Sequence, residues 1–580
     1  SDSDEDLNAV LTAVSGPGWR LKMAARSSAL LPSRAAAGAA ASFGPVGPVG
    51  GASTVAAAAN GPVRSAGQFL PNAAQQRVLD DLRAGYNVKV VGPAGFGKTA
   101  LAMEWLCQVA EARNVRILAA APWNTQKDLL RRKLRTCRRA AELQVVMPQT
   151  WAALMGLPAN RAADVRQMIE SLSEERLHML KEATHMLLDE ADLPSPKGAT
   201  ASERLVRRAR GSDVMWGGVQ LLMTGDPLQG LPRCCAQELE FASGAQHAGA
   251  VHELTFESQI MEDPRLRIHC LVDCERIKDE LFVRGVHGEI RYGIVGGFAE
   301  RLRQVTMARV FTAEEDLYAT TIYARSVDVM ERSVRVMPLR AARRGWTVAN
   351  GGVYVYKDAQ AIATYKPMQL NALRTFGFEK QTFVLNEKML LVVKGREAND
   401  EKSPAPSLHM GPALQYDDKS YATGNEVCEI VAFAEGKIKI KVEGRREGAN
   451  MLWVPVVAHT MTVKNVSVTV RSYPLKPFFE RVWQLTQGLE FDLVHVDATH
   501  FFGDACLYVA LTRVTNLAGL KVSGLWNRSA MVGKTSANWR AVLFVARHGE
   551  AVPEEALVLA NRRREMWEMA HSRKWVIGGR

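Results

Sequence analysis

From about Gly67 onward, short apolar runs alternate with stretches of helical periodicity. The runs at 88–91, 115–119, 186–188 and 219–223 are each bounded by turn-forming residues. Runs of this kind read as strands buried on both faces, with the intervening helices as the layers that cover them. Further runs at 320–323, 493–496 and 507–510 suggest a second α/β unit. Between about 383 and 470 the pattern changes. There 389–393, 428–433 and 438–442 read as short strands around glycine turns, which predicts a small β-barrel inserted in the second unit.

Length and charge sharpen this picture. A chain of 580 residues exceeds what one hydrophobic core supports, so several domains are expected. No apolar stretch reaches the about 18 residues that a membrane helix needs, and no membrane partner is expected. The net charge of +12 favours a polyanion, nucleic acid before others. Basic residues cluster at Arg131, Arg132, Lys133, Arg135, Arg138 and Arg139, at Arg204, Arg207, Arg208 and Arg210, and at Arg562, Arg563 and Arg564. Each cluster also reads as an ordinary solvated helix face. The 8 cysteines contain no CxxC pair, which argues against a disulfide framework. Cys234, Cys235, Cys270 and Cys274 match no common zinc spacing.

Residues 1–65 predict no packed unit. After Asp6 no acidic residue occurs until Asp80, and residues 23–41 are rich in Ala, Ser and Arg beginning at Met23. This composition resembles a mitochondrial or plastid transit peptide, and a low-complexity linker fits it equally. A mitochondrial location is the first expectation and a nuclear one the alternative.

The sharpest chemical signal is Gly92-Pro93-Ala94-Gly95-Phe96-Gly97-Lys98-Thr99. It matches the P-loop pattern and stands between a predicted strand and a predicted helix, the context the motif requires. Glycines let backbone N–H groups curl round phosphate, and the helix N-terminus adds a positive end. Lys98 would reach the β- and γ-phosphates of ATP, and Thr99 would hold Mg²⁺. Further on, an apolar strand ends in Asp189-Glu190-Ala-Asp192. Asp189 fits the Mg²⁺ carboxylate and Glu190 the residue that activates the attacking water. Asp192 reads as a turn cap.

Several further motifs resemble superfamily-one helicases. Thr224-Gly225-Asp226-Pro-Leu-Gln229 is similar to their GDxxQ motif, in which Gln229 would sense the γ-phosphate. Residues 507–515, with Thr512 and Arg513, resemble motif VI, in which Arg513 would be the arginine finger. Leu485-Thr486-Gln487-Gly488-Leu-Glu490 resembles motif V, which implies strand contacts from Thr486 and Gln487 and a ribose contact from Glu490. Asn72-Ala-Ala-Gln75 resembles the Q motif, with Gln75 reading adenine. Arg276, followed by Glu289-Ile-Arg291-Tyr-Gly293, resembles the motif IV arginine. Thr150-Trp151-Ala152, Tyr323-Ala-Arg325, and Leu385–Lys394 followed by Thr423-Gly424-Asn425 point to the Pif (petite integration frequency) branch, related to RecD.

The resemblance implies two RecA-like α/β domains with an SH3-like insertion in the second and a wedge in the first. The expected segments are 1–65 for targeting and 66–245 for the first domain, with the wedge at about 155–185. The second domain would occupy 246–384 and 471–545 around the insertion at 385–470, followed by a basic extension at 546–580. The resemblance also implies 5′-to-3′ movement on single-stranded DNA or a forked duplex, driven by Mg-ATP, with Arg276, Glu490 and Arg513 supplied by the second domain. Trp123, Gln149, Thr150 and Gln484 are further candidates for touching the strand, and Trp123 and Trp151 could instead be core. The sequence departs from the branch at Gln149 and Gln484, where histidine is usual, and at Ile277, where glutamine is usual. Two rival readings stay open: a helicase-derived structural subunit of a ribonucleoprotein, and an RNA-directed helicase with the same ATP motifs.

Overall fold

The computed structural model describes residues 69–155, 170–230, 254–345, 367, 388–391, 427–502 and 505–577, apart from short gaps inside these ranges. The first helix, α1 (Ala73–Arg83), opens on Asn72, whose side chain accepts from the Gln75 N–H at 2.9 Å. Gln75 Oε1 accepts in return from the Asn72 N–H at 3.0 Å. The reciprocal pair satisfies donors that a helix end otherwise leaves open.

Strand β1 (Asn87–Val91) leads through the P-loop into α2 (Lys98–Val109). Then follow β2 (Ile117–Ala121), α3 (Asn124–Thr136), β3 (Gln149–Thr150), β4 (His185–Leu188), α4 (Pro196–Arg210), β5 (Gln220–Gly225) and β6 (Leu266–Cys270). These six strands form one parallel sheet in the order β3-β2-β4-β5-β1-β6. Alternate residues of its inner strands serve opposite cores. Leu187 and Leu222 pack with α1 and α2, whereas Met186, Leu188, Leu221 and Met223 pack with α4. Burial on both faces explains why the sequence shows continuous apolar runs here.

The first sheet therefore extends past the expected boundary at 245, because β6 pairs with β1. The strand is an edge strand that carries Arg267 and His269 among its apolar residues, so it lacks an apolar run. Chain crossing to the second unit is abrupt. Cys274 packs in the first core and Ile277 in the second.

The second sheet is parallel, in the order β15 (Glu480–Val482), β7 (Thr320–Tyr323), β16 (Val494–Asp497) and β17 (Leu520–Ser523). Helices α5 (Gly297–Ala308), α6 (Ser326–Arg343) and α7 (Cys506–Leu511) belong to this unit. The run at 507–510 lies within α7, and every residue of that helix is buried. A short, wholly apolar run does not distinguish a buried helix from a buried strand.

Between β7 and β15 lie five antiparallel strands in the order β11-β10-β9-β8-β14 and a separate hairpin, β12–β13. Their ranges are β8 Lys388–Leu391, β9 Val427–Ala434, β10 Lys437–Val442, β11 Met451–Pro455, β12 Val457–Val463, β13 Val466–Ser472 and β14 Leu475–Pro477. The insertion thus runs beyond 470, since β14 pairs with β8. In the wedge segment, residues 156–169 lie outside the described ones, and helix Glu174–Glu182 packs Leu180 into the first domain's core.

The last two helices are α8 (Trp539–Arg547) and α9 (Glu554–Ile577); α9 falls within the segment expected as a basic extension, with its first turns packed and Arg562 to Arg564 exposed. Ala541, Val542, Val545, Ala556 and Ala560 share a core with Val91 and Leu228 of the first unit and Tyr292 and Ile294 of the second. Among the described residues no helix is long and apolar enough to cross a membrane.

Candidate functional site

In an open parallel sheet the crevice lies beyond the carboxyl ends of the strands. Here β4, β5 and β1 are neighbours, and their ends carry Asp189 and Glu190, Thr224 to Asp226, and the P-loop. Gly95 and Gly97 hold φ of +85° and +87°, a region that favours glycine. A Cβ on Gly97 would lie 2.5 Å from Gln75 Nε2, and one on Gly95 would lie 2.9 Å from Arg276 Cβ. Glycine at these positions lets Gln75 and Arg276 close over the loop. Ala94 and Phe96 are buried beside it.

Lys98 is buried at the start of α2, and its Nζ donates to the carbonyls of Gly92 at 2.5 Å and Pro93 at 3.0 Å. Burial lowers its pKa, against the pull of Asp226 and Glu190. Asp189 Oδ1 accepts from Thr224 Oγ1 at 2.5 Å, which fixes the carboxylate at the strand end. Glu190 sits in the left-handed region at φ 51°. That conformation costs a non-glycine residue about 1–3 kcal/mol and persists where the surroundings impose it. Burial, then the neighbouring Asp189, raises the Glu190 pKa to about 7. Asp192 does not cap a turn. It pairs in the interior with Lys89 Nζ at 2.5 Å.

The arginines close the other side. Backbone N–H groups of Glu275 and Arg276 both donate to the Gly95 carbonyl, at 2.8 and 3.2 Å. Arg276 is therefore tied to the P-loop itself, at the point where the chain leaves the first core, rather than supplied by the second domain. Its guanidinium donates to the Thr512 carbonyl at 2.8 Å and pairs with Glu490. Arg513 is buried. It donates to the carbonyls of Val509 at 2.8 Å and Thr486 at 3.1 Å, and to Thr512 Oγ1 at 2.6 Å. Burial, reinforced by Arg276, lowers its pKa to about 10. Gln229 is buried, and its backbone carbonyl accepts from Gln487 Nε2 at 3.2 Å.

The residues present suit a magnesium nucleotide. Thr99 and Asp189 offer oxygen donors, which Mg²⁺ prefers with phosphate and water completing its shell. No cluster of three or more His, Cys, Asp or Glu that could hold a metal alone occurs among the described residues.

No protein-family profile matches the chain. Among curated proteins, it is 21% identical over 463 residues to the ATP-dependent DNA helicase Pif1 of Bdellovibrio bacteriovorus, covering 79% of this chain and 88% of that one. The Xenopus laevis ATP-dependent DNA helicase PIF1 is 23% identical over 454 residues, 77% of this chain and 60% of the relative. Among solved structures, Pif1 helicase from Bacteroides in complex with ADP-AlF3 and ssDNA superposes with a TM-score of 0.56 at 17% identity, covering 83% of this chain and 98% of that one. Pif1 helicase from Candida albicans gives 0.56 at 18% identity, with 83% and 99% covered. The chain is thus similar in sequence to Pif1 helicases over more than three quarters of its length and shares their fold.

The Pif1 reading placed six candidates on the strand side, and the structure divides them. Trp123 lies outside the described residues. Gln149, Thr150 and Gln484 are partly buried, and Thr150 Oγ1 accepts from the Ala153 N–H at 3.1 Å. Thr486 and Gln487 are buried and face inward. Thr486 Oγ1 donates to the Trp483 carbonyl at 2.6 Å, and Gln487 bridges to Gln229. Trp151 is core, with Nε1 donating to Ser202 Oγ at 2.8 Å.

One cluster and one lysine in the cleft carry no role in the sequence reading. Asp226 is paired with Arg291 at 2.8 Å, Arg291 also pairs with Glu550, and the Tyr292 hydroxyl donates to Glu550. Burial would raise the Asp226 carboxyl, but Arg291 and Lys98 more than reverse this and hold it low. Tyr508 and His287 complete the group. Burial, then Arg291, lowers the His287 pKa to about 3, so the ring is neutral. It lies in a π-helical turn, Val283–Glu289, a distortion frequent at functional sites. Lys133, read above as one of a basic run, interacts with Asp189, Glu490, Arg276 and Glu190, and burial lowers its pKa. A run of basic residues in a helix gives no hint that one lysine faces a distant cleft.

Proposed function

We propose that this chain is an ATP-driven motor that moves 5′ to 3′ along single-stranded DNA and opens a forked duplex. One observation carries the reading. The P-loop, the Asp189–Glu190 strand end and Gln229 meet Arg276 and Arg513 in a single cleft between two parallel sheets. The Bacteroides relative crystallised with ADP-AlF3 and single-stranded DNA supports nucleotide use and a DNA partner.

In this mechanism the P-loop and Lys98 bind the β- and γ-phosphates, while Gln75 lies above the loop on the adenine side with Glu490 on the ribose side. Thr99 and Asp189 would hold Mg²⁺, which would neutralise phosphate charge when bound. Glu190 takes a proton from the attacking water, Gln229 orients that water, and Arg276 with Arg513 stabilises charge on the transferring phosphoryl group. Changes at the γ-phosphate alter the grip of the two domains through the contacts of Arg276 and Gln487, and so advance the strand.

The same reading makes the antiparallel insertion an SH3-like element and residues about 155–185 a wedge. It also gives residues 23–65 a mitochondrial targeting role, which a reporter fused behind them would show by organellar fluorescence. The deciding experiment compares ATP hydrolysis with single-stranded DNA and with RNA, then unwinding of forks bearing a 5′ or a 3′ tail. DNA-stimulated hydrolysis and opening of the 5′-tailed fork are expected. Hydrolysis stimulated by RNA alone, or no hydrolysis at all, would overturn the assignment.

A further inference from the structure

Tyr508 lies on α7, five positions before Arg513, and is fully buried. Its hydroxyl accepts from the backbone N–H of Ala94, the third residue of the P-loop, at 3.2 Å. The same oxygen lies 3.3 Å from His287 Nδ1 and 3.5 Å from Asp226 Oδ2. One hydroxyl from the second domain thus meets the P-loop, the GDxxQ element and the π-helical turn. The aromatic surroundings fix its place. The His287 ring packs edge-on against Phe96 of the P-loop at 5.1 Å and against Tyr508 at 5.8 Å.

We propose that Tyr508 is a positioning residue for ATP hydrolysis, whose hydroxyl holds the P-loop in register with the helix that carries Arg513. The inference rests on the reading of the cleft as an ATPase site. Burial holds the phenol protonated far above its ordinary range, so the hydroxyl can accept from Ala94 and donate toward Asp226 at once. Asp226 is in turn fixed by Arg291 through two contacts, at 2.8 and 3.3 Å. Without the Tyr508 hydroxyl, the tie between the P-loop and the segment carrying Arg513 would rest on Arg276, which joins Gly95 to the Thr512 carbonyl. Reacting groups lose much of their advantage when misplaced by as little as about 1 Å.

The test is Tyr508→Phe, which keeps the ring and deletes one oxygen. Turnover should fall about fivefold to tenfold, the scale of one hydrogen bond, with KM for ATP within about twofold of wild type. Tyr323→Phe removes a hydroxyl from a buried side chain at the end of β7, in the second sheet. It should leave turnover near wild type. Amide exchange of the segment 92–97, measured on the protein without nucleotide, should quicken in Tyr508→Phe and not in Tyr323→Phe. Unchanged exchange overturns the proposal whether or not the wild-type protein hydrolyses ATP. Unchanged turnover beside an active wild type overturns it as well, whereas an inactive wild type with faster exchange refutes the ATPase reading and keeps the Tyr508 contact.

Discussion

Replacing Glu190 with glutamine should abolish turnover while making the protein more stable at and above neutral pH. The carboxyl is raised from an ordinary 4.5 to about 7, first by burial and then by Asp189. A group whose folded pKa exceeds its unfolded value favours folding below the unfolded value, and that advantage is lost as pH rises through the folded pKa. At pH 8 the wild-type protein therefore holds an unfavourable charge in the cleft. Each pKa unit corresponds to about 1.4 kcal/mol, so the full shift would amount to about 3 kcal/mol. Partial exposure of Glu190 to solvent reduces this, and about 1–2 kcal/mol is the expected gain for Glu190→Gln. The assay is urea unfolding of both proteins from pH 4.5 to pH 8.5, beside steady-state hydrolysis. The stability difference should vanish near pH 4.5 and grow through pH 7, and the wild-type kcat/KM should rise with pH over the same window. A glutamine variant that still turns over would remove Glu190 from proton abstraction. A stability difference independent of pH would mean that the carboxyl is not strained in the cleft.

Three further outcomes follow from the geometry. Arg513→Lys should lower turnover by about 10³ with nucleotide affinity within a few fold, because a lysine cannot fork to both phosphate and carbonyl partners; a loss of affinity alone would place Arg513 outside the transition state. Lys133→Ala should move the acid limb of the pH–rate profile upward, since a positive charge near Asp189 and Glu190 is removed; an unmoved profile would take Lys133 out of the cleft. Gln484→His should raise DNA-stimulated turnover above wild type by restoring a ring and an ionisable donor on the short turn Trp483–Thr486; no change would show that this position does not govern coupling.

The setting of the P-loop was legible because it is fixed by residues close in sequence. A P-loop must join a strand to a helix, and β1 and α2 flank it as the spacing predicts. The Asp189–Glu190 pair likewise ends an apolar strand. Strand bounds were less legible where small residues dilute the pattern. The run expected at 115–119 forms a strand at Ile117–Ala121, which ends before Pro122. Long-range partners were not legible at all. Nothing in Glu289-Ile-Arg291-Tyr announces that Arg291 meets Asp226 and Glu550, because the three come from distant parts of the chain. The inward hydrogen bonds of Thr486 and Gln487 were not legible for a related reason. Polar residues in a loop look solvent-facing until the loop is seen to lie under Arg513 and against Gln229.

Two kinds of contact join the domains, and their energetics differ. Asp226, Arg291 and Glu550 are withdrawn from water and paired with one another. Removing one partner of such a set costs about 3–5 kcal/mol, since it strands a buried charge. The shared apolar core of α8 and α9 lies beside them. At the lip of the cleft, by contrast, Arg276 meets a Glu490 carboxylate that is 45% exposed. Exposed pairs contribute about 0–1 kcal/mol and exchange readily with water or with an incoming phosphate. Hydrogen bonds such as Gln487 to Gln229 are of similar size. The domains therefore part most cheaply at the lip and most expensively at the buried cluster, so nucleotide entering beside Arg276 acts where the interface is weakest. That asymmetry lets binding energy of a few kcal/mol change the gap between the sheets without unfolding their junction.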